Sequence, residues 1–305
     1  MRRRDFLVTV GATAAWTAWS GRPAWAQAKK AKVLYFTRSA GFEHSVVKRN
    51  GTQLAYSEKL LVEWGQAAGF DVECSKDGSL FDGDLDKYDC FAFYTSDDLA
   101  KPDAYGNPPM TAAGKQRLLA AVAAGKGFVG FHSATDSFHT PGARDEGQEH
   151  PDPYLAMLGG EFIVHGAQQE ATVRVAAPDF PGVKPMGEES KFLEEWYTSK
   201  NFAPDLHVIL VQETKGMSGG CYQRPPYPAT WARMHGKGRV FYTSFGHRED
   251  IWINPKVKSL ILGAFAWTLG RAEADVTANL AQVTPEANQL PNKPPKPKAK
   301  PKRNV

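Results

Sequence analysis

Short apolar blocks closed by polar residues recur through the first half of the chain: KVLYF (32–36), FDVECS (70–75), CFAFY (90–94) and GFVGF (127–131). Runs of this length match strands buried on both faces of a parallel sheet. Helical spacing fills the gaps between them. Over roughly 50–68, Leu54, Leu61 and Trp64 share one face, and TAAGKQRLLAAVAAG (111–125) ends on Gly125, a helix stop. Strand and helix in alternation predict an α/β fold with a mostly parallel sheet and helices on both faces. The second half is less regular. ATVRVA (171–176), FLEEWYT (192–198) and HVILVQ (207–212) read as strands, residues 227–247 as a hairpin turning at His235–Gly238, and 255–269 as an amphipathic helix.

The two ends break this pattern. Residues 1–26 have a basic start, an apolar middle and the small-x-small site Ala24-Trp25-Ala26. That is a signal peptide, and Arg3-Arg4-Asp5-Phe6-Leu7 gives it the twin-arginine form, so the expected location is periplasmic or secreted. The twin-arginine translocation machinery is then a partner during export. The apolar run is shorter than the roughly 20 residues needed to span a bilayer. Residues 281–305 finish in Pro and Lys and are expected to be a disordered tail. A single domain is expected over 27–280.

Charge changes meaning once the ends are set aside. The whole chain carries +4, but the N-terminal segment holds +3 and the segment from Pro291 holds +6, which leaves −5 for the body. The basic pI of 8.8 therefore gives no reason to expect nucleic acid as a partner. The three cysteines, Cys74, Cys90 and Cys221, are too few for a disulfide framework, and Cys90 is expected in a core strand.

In open parallel sheets, ligands bind beyond the carboxyl ends of the strands. Three histidines fall there: His44 after the first strand, His132 directly after GFVGF, and His247 after RVFYTSFG. They are read as one site. At the turn after GFVGF, hydrolases built on a nucleophile elbow place Ser or Cys at the apex. Here His132 holds the apex and Ser133 lies one position off. An imidazole there suits a base, an acid or a metal ligand. Asp136 follows on the same turn, and Glu194-Glu195 in EEWY supply carboxylates costly to leave unpaired among aromatics.

GFVGFHSATD, LGGEFIVH, EEWYT and PATWARMHGKGRVFYTSFGH, followed by WTLGRAEADVTANL, resemble the ThuA-like (trehalose utilisation) family over nearly the whole body. The resemblance implies a flavodoxin-like sheet of the class I glutamine amidotransferase type. Because His132 stands where that type has Cys, amidotransferase chemistry does not carry over. The family's more usual Asp-Glu makes Glu195 the better matched acid. It also implies use of disaccharides, including their 3-keto forms. The expected catalytic set is His132, Glu195, His247 and Asp136. Sugar contacts are expected from His44, Phe42, Tyr197 and Trp231. Two arrangements stay open: metal-free His/Glu acid–base catalysis, or a divalent metal ion with His132, His165 and His247 as candidate ligands. A non-catalytic sugar-binding protein using the same cleft is the alternative function.

Overall fold

A computed structural model describes residues 30–291. The twin-arginine segment lies outside them. Eleven strands are present among the described residues: β1 (Ala31–Phe36), β2 (Phe70–Ser75), β3 (Cys90–Phe93), β4 (Gly127–Phe131), β5 (Glu161–His165), β6 (Gln169–Val175), β7 (Glu189–Glu194), β8 (Tyr197–Lys200), β9 (His207–Gln212), β10 (Tyr227–His235) and β11 (Gly238–Thr243). The helices are α1 (Tyr56–Ala68), α2 (Ala112–Ala124), α3 (Pro153–Leu158), α4 (Glu249–Trp252), α5 (Pro255–Thr268) and α6 (Leu280–Val283).

Nine strands form one sheet in the order β2-β1-β3-β4-β11-β10-β9-β6-β7. The first five pair in parallel, and the rest pair antiparallel. Only β10 and β6 run against the common direction, so the sheet is mostly parallel. Successive side chains of a strand point to opposite faces. In β1, Val33 and Tyr35 enter one core cluster with Leu61 and Trp64 of α1 and Val257, Leu260 and Phe265 of α5. Leu34 and Phe36 enter the other, with Leu118 and Val122 of α2 and Leu155 and Leu158 of α3. Two buried faces explain why these strands are apolar at every position instead of alternating.

Three expectations need correction. FLEEWYT is not one strand: β7 ends at Glu194 and belongs to the large sheet, whereas β8 starts at Tyr197 and pairs only with β5 in a two-stranded sheet. The chain crosses from one sheet to the other at Glu195-Trp196. The first helix starts at Tyr56, not near 50; Glu58 accepts the Ala55 backbone N–H (2.8 Å), and the turn before it carries Gly51 at φ 58°. The folded body also runs past 280. Ala287 is buried, Asn288 exchanges two hydrogen bonds with the Phe202 backbone, and Arg224 reaches the Ala287 carbonyl.

Gly263 fixes how closely α5 approaches the loop before β7. A Cβ there would stand 2.0 Å from the Pro181 carbonyl oxygen, backbone that cannot rotate away. Gly263→Ala should lower stability by more than about 3 kcal/mol, read as a fall in denaturation midpoint with unchanged far-ultraviolet dichroism below it.

Candidate functional site

The loops after β1, β3 and β4 are laced by backbone hydrogen bonds that carry the strand order past the strand ends. Ala40 N donates to Ser96 O (3.0 Å), Asp97 N to Asp136 O (2.6 Å) and Phe138 N to Asp97 O (3.3 Å). His44 and His132 emerge on this edge, and His247 reaches it from parallel β11. His132 has φ 40°, a left-handed backbone that side-chain-bearing residues seldom adopt. The strand therefore turns at once into a short 3-10 helix, His132–Asp136, and holds the imidazole at the apex. Tyr242 Oη clamps the turn from below, donating to the His132 carbonyl (2.7 Å). Strain of this kind persists where surrounding contacts overdetermine it.

Glu195, at the crossing between the two sheets, is the centre. Its Oε2 lies 3.0 Å from His247 Nδ1, 3.4 Å from His132 Nε2 and 3.9 Å from His44 Nε2. Its Oε1 lies 3.2 Å from His165 Nδ1. The three rings around Oε2 stand edge to face, with centroids 4.8, 5.1 and 5.3 Å apart. One donor atom from each of His44, His132, His247 and Glu195 lies within 4.8 Å of the others, a set able to hold a metal ion. His165 is outside that set, half-exposed, with Nδ1 also 2.9 Å from the Gly166 carbonyl. Of the metal candidates His132, His165 and His247, the first and last fall in that set with His44 and Glu195, and His165 lies beside it.

Burial sets the protonation states. It pushes His132 down to about 3, against the pull of Glu195, so the ring is neutral. Burial also lowers His44. His247 rises because contact with the Glu195 carboxylate outweighs its burial. Burial would raise Glu195, but the close approach of His132, His247 and His44 holds it well below the carboxylate range. Glu194, directly behind, is pushed up to about 7 by burial, opposed by the backbone N–H groups of Glu195 (2.8 Å) and Gly246 (3.1 Å). Both glutamates therefore serve the site from successive positions, where a continuous strand would have turned one away.

The other expected residues divide. Phe42 is 70% exposed and meets His44 edge-on at 4.9 Å, so it lies at the exposed border of the cluster. Its neighbour Glu43 is pinned by buried Lys76 (3.1 Å) and by the Tyr105 hydroxyl (2.5 Å), which fixes the loop. Tyr197 is at the site but buried, its ring held between His132 (4.1 Å) and Phe162 (4.0 Å), and so it is a wall for His132, not a stacking platform. Trp231 is not a site residue: fully buried, it lies on Tyr242 (4.3 Å) and donates to the Leu158 carbonyl (2.8 Å). Asp136 does not orient His132, whose Nδ1 meets the Ser244 carbonyl (2.9 Å) instead. It pairs with His139 (3.3 Å) and Arg144 (3.2 Å). Ser133 is buried with its hydroxyl unpartnered. The cysteines are free, and burial pushes Cys74 and Cys90 up to about 12, so neither offers a thiolate. Sequence reasoning missed Gln168, whose amide lies 2.8 Å from His247 Nε2 and is held by Arg248 (2.8 Å); no motif marks either residue.

Burial raises Asp136 to about 7, with Arg144 opposing and Asp97 and Glu161 assisting. Its folded value lies above the unfolded value of about 3.9. Stability from this group is therefore full at low pH and is lost as pH rises from about 4 to about 7. Asp136→Asn, which cannot ionise, should gain on the wild type by about 2–4 kcal/mol across that window and no further above it, as read from denaturant titrations at a series of pH values.

The ThuA family, described as trehalose utilisation, matches residues 32–268. A ThuA-like protein from Bacteroides uniformis ATCC 8492 is 19% identical, with 84% of this chain and 98% of that chain covered at a TM-score of 0.54. Another from Parabacteroides merdae ATCC 43184 is 18% identical, with 81% and 93% covered at 0.53. At these identities the likeness shows the fold. No curated protein matches. The family match spans both sheets and all four residues of the His/Glu cluster, and the chain belongs to the ThuA family.

Proposed function

We propose that the chain is an exported carbohydrate-processing enzyme acting on a disaccharide or 3-keto-glycoside through the Glu195 cluster. The observation that carries this reading is a neutral imidazole at a strained strand apex, its Nε2 buried, unpartnered and 3.4 Å from an ionised carboxylate. Groups at such positions cost stability and suit proton transfer. The trehalose-utilisation description of the family supports the substrate class. Phe42 at the rim adds an exposed aromatic face, which fits the apolar face of a sugar ring.

The chemistry follows from the donors. In a 3-keto-glycoside, the C–H beside the keto group gives its proton to His132 Nε2, its electron pair forms a C=C bond, and the glycosidic C–O bond on the neighbouring carbon breaks. Glu195 balances the positive charge that develops on His132, and His247, on the same carboxylate oxygen, gives a proton to the released glycosidic oxygen. His44 and Phe42 close the substrate side. A pure sugar binder would use the same cleft without turnover.

Purified mature protein, incubated with 3-keto and unoxidised disaccharides and followed by mass spectrometry, separates the two functions. An enzyme gives a product mass; a binder returns its ligand unchanged. In the enzyme, His132→Asn and Glu195→Gln should each cut turnover by about 10²–10⁴ with the denaturation midpoint kept within a few degrees. The double variant should lose far less than the product of the two, since the groups act as a unit. Wild-type turnover in either single variant would move the site elsewhere.

Export rests on Arg3-Arg4 and Ala24-Trp25-Ala26. Replacing both arginines by lysine should leave unprocessed precursor in the cytoplasm. Normal processing of that variant in cells lacking the twin-arginine translocase would reject it.

A further inference from the structure

The nitrogens around Glu195 are in an arrangement that no described side chain satisfies. His132 gives its Nδ1 proton to the Ser244 carbonyl (2.9 Å), so Nε2 carries a lone pair. That lone pair is fully buried, has no hydrogen-bond partner, and faces an oxygen with lone pairs of its own at 3.4 Å. His247 Nδ1, 3.0 Å from the same oxygen, is also buried without an aligned partner. A buried imidazole lone pair and a carboxylate oxygen thus face each other with nothing between them, an arrangement that is costly unless a positive centre lies there.

We propose that His44, His132, His247 and Glu195 are the four protein ligands of one divalent first-row transition ion. The inference goes beyond the carbohydrate reading and does not depend on it. An ion about 2.1 Å from each donor needs donors about 3.4 Å apart. The four atoms already lie within 4.8 Å of one another, so side-chain shifts of about 1 Å close the site. Three imidazole nitrogens and one carboxylate oxygen favour ions from manganese to zinc over magnesium or calcium, which prefer oxygen.

The surroundings fit ligand duty. Metal-bound histidines commonly donate their other N–H to a carbonyl or carboxylate, as His132 does to Ser244. His247 differs: Gln168 donates its amide N–H to Nε2 (2.8 Å) while its amide oxygen accepts from Arg248 (2.8 Å), so ligation through Nδ1 requires the Gln168 side chain to move aside. His165 Nδ1 lies 3.2 Å from the second oxygen of Glu195 but is bonded to the Gly166 carbonyl (2.9 Å), so it borders the carboxylate without joining the ligands. An ion of five or six ligands keeps one or two positions for substrate oxygens on the Phe42 side.

The test uses full-length mature protein without a polyhistidine tag, stripped with chelator and titrated with Co2+. One equivalent should bind, with visible d–d absorption and a raised denaturation midpoint, while Mg2+ in large excess should not displace it. Glu195→Gln and His44→Ala should each weaken Co2+ binding by about 100-fold or more, and His165→Ala by no more than about 10-fold. Glu195→Gln keeps the side-chain shape, so its folding, checked by circular dichroism, leaves the result readable if the histidine variant unfolds. Binding of no equivalent, or full binding by folded Glu195→Gln, would overturn the proposal and leave water bridging these atoms. Stoichiometric Co2+ in a protein inert to every disaccharide would uphold the ion and remove the substrate class alone.

Discussion

A single buried negative charge organises the functional edge of this protein. Glu195 lies in the crossing from the nine-stranded sheet to the two-stranded one, and its two oxygens face four imidazoles. An isolated carboxylate would neutralise itself at this depth. Here the surrounding nitrogens keep it ionised, and burial keeps His132 and His44 uncharged. The charge therefore stays on one known atom. Glu194 behind it, held by the Glu195 and Gly246 amides, keeps the two peptide segments together.

The rest of the edge is built to hold that arrangement. Gly246 is fixed at both ends of its peptide: its N–H by Glu194, its carbonyl by Tyr94 (3.1 Å) and by the Trp252 indole (2.8 Å). Its φ of 132° suits glycine, and a Cβ there would come within 3.4 Å of Tyr94. His247 follows directly and inherits this rigidity. His132 is held in the same way from Tyr242 and Ser244. Tyr242 and Trp252 are the clamps of these loops, and Trp231, expected to meet sugar, is part of the core beneath them.

Much of this was legible in the sequence. Strands buried on both faces leave uninterrupted apolar runs, so β1, β3 and β4 could be read directly, and a histidine just past a strand end is placed by topology alone. His44, His132 and His247 were found on that basis, whereas Glu195 came from the acids of EEWY and the family resemblance. The change of sheet within FLEEWYT was not visible, because β7 and β8 have the same local composition as one longer strand; what separates them is pairing with different partners far away in sequence. Trp231 misled for a related reason. A tryptophan on an inner strand looks alike whether its indole faces a cleft or, as here, the Leu158 carbonyl. Asp136 followed His132 closely in sequence, but the 3-10 turn carried its carboxylate towards Arg144 and His139.

The four donors are scattered from residue 44 to residue 247, and each is delivered by a different crossover of the sheet. A growing or extended chain therefore has no fragment of the cluster; it comes into being with the tertiary fold and not before. Whatever ion or small molecule the cluster holds must be acquired in the compartment where folding finishes. A chain that folds in the cytoplasm and crosses a membrane afterwards would meet the tightly buffered ions of the cytoplasm, whereas one that folds outside would take what the surroundings supply. The order of folding and transport would then decide the chemistry of the site without a single change in its residues.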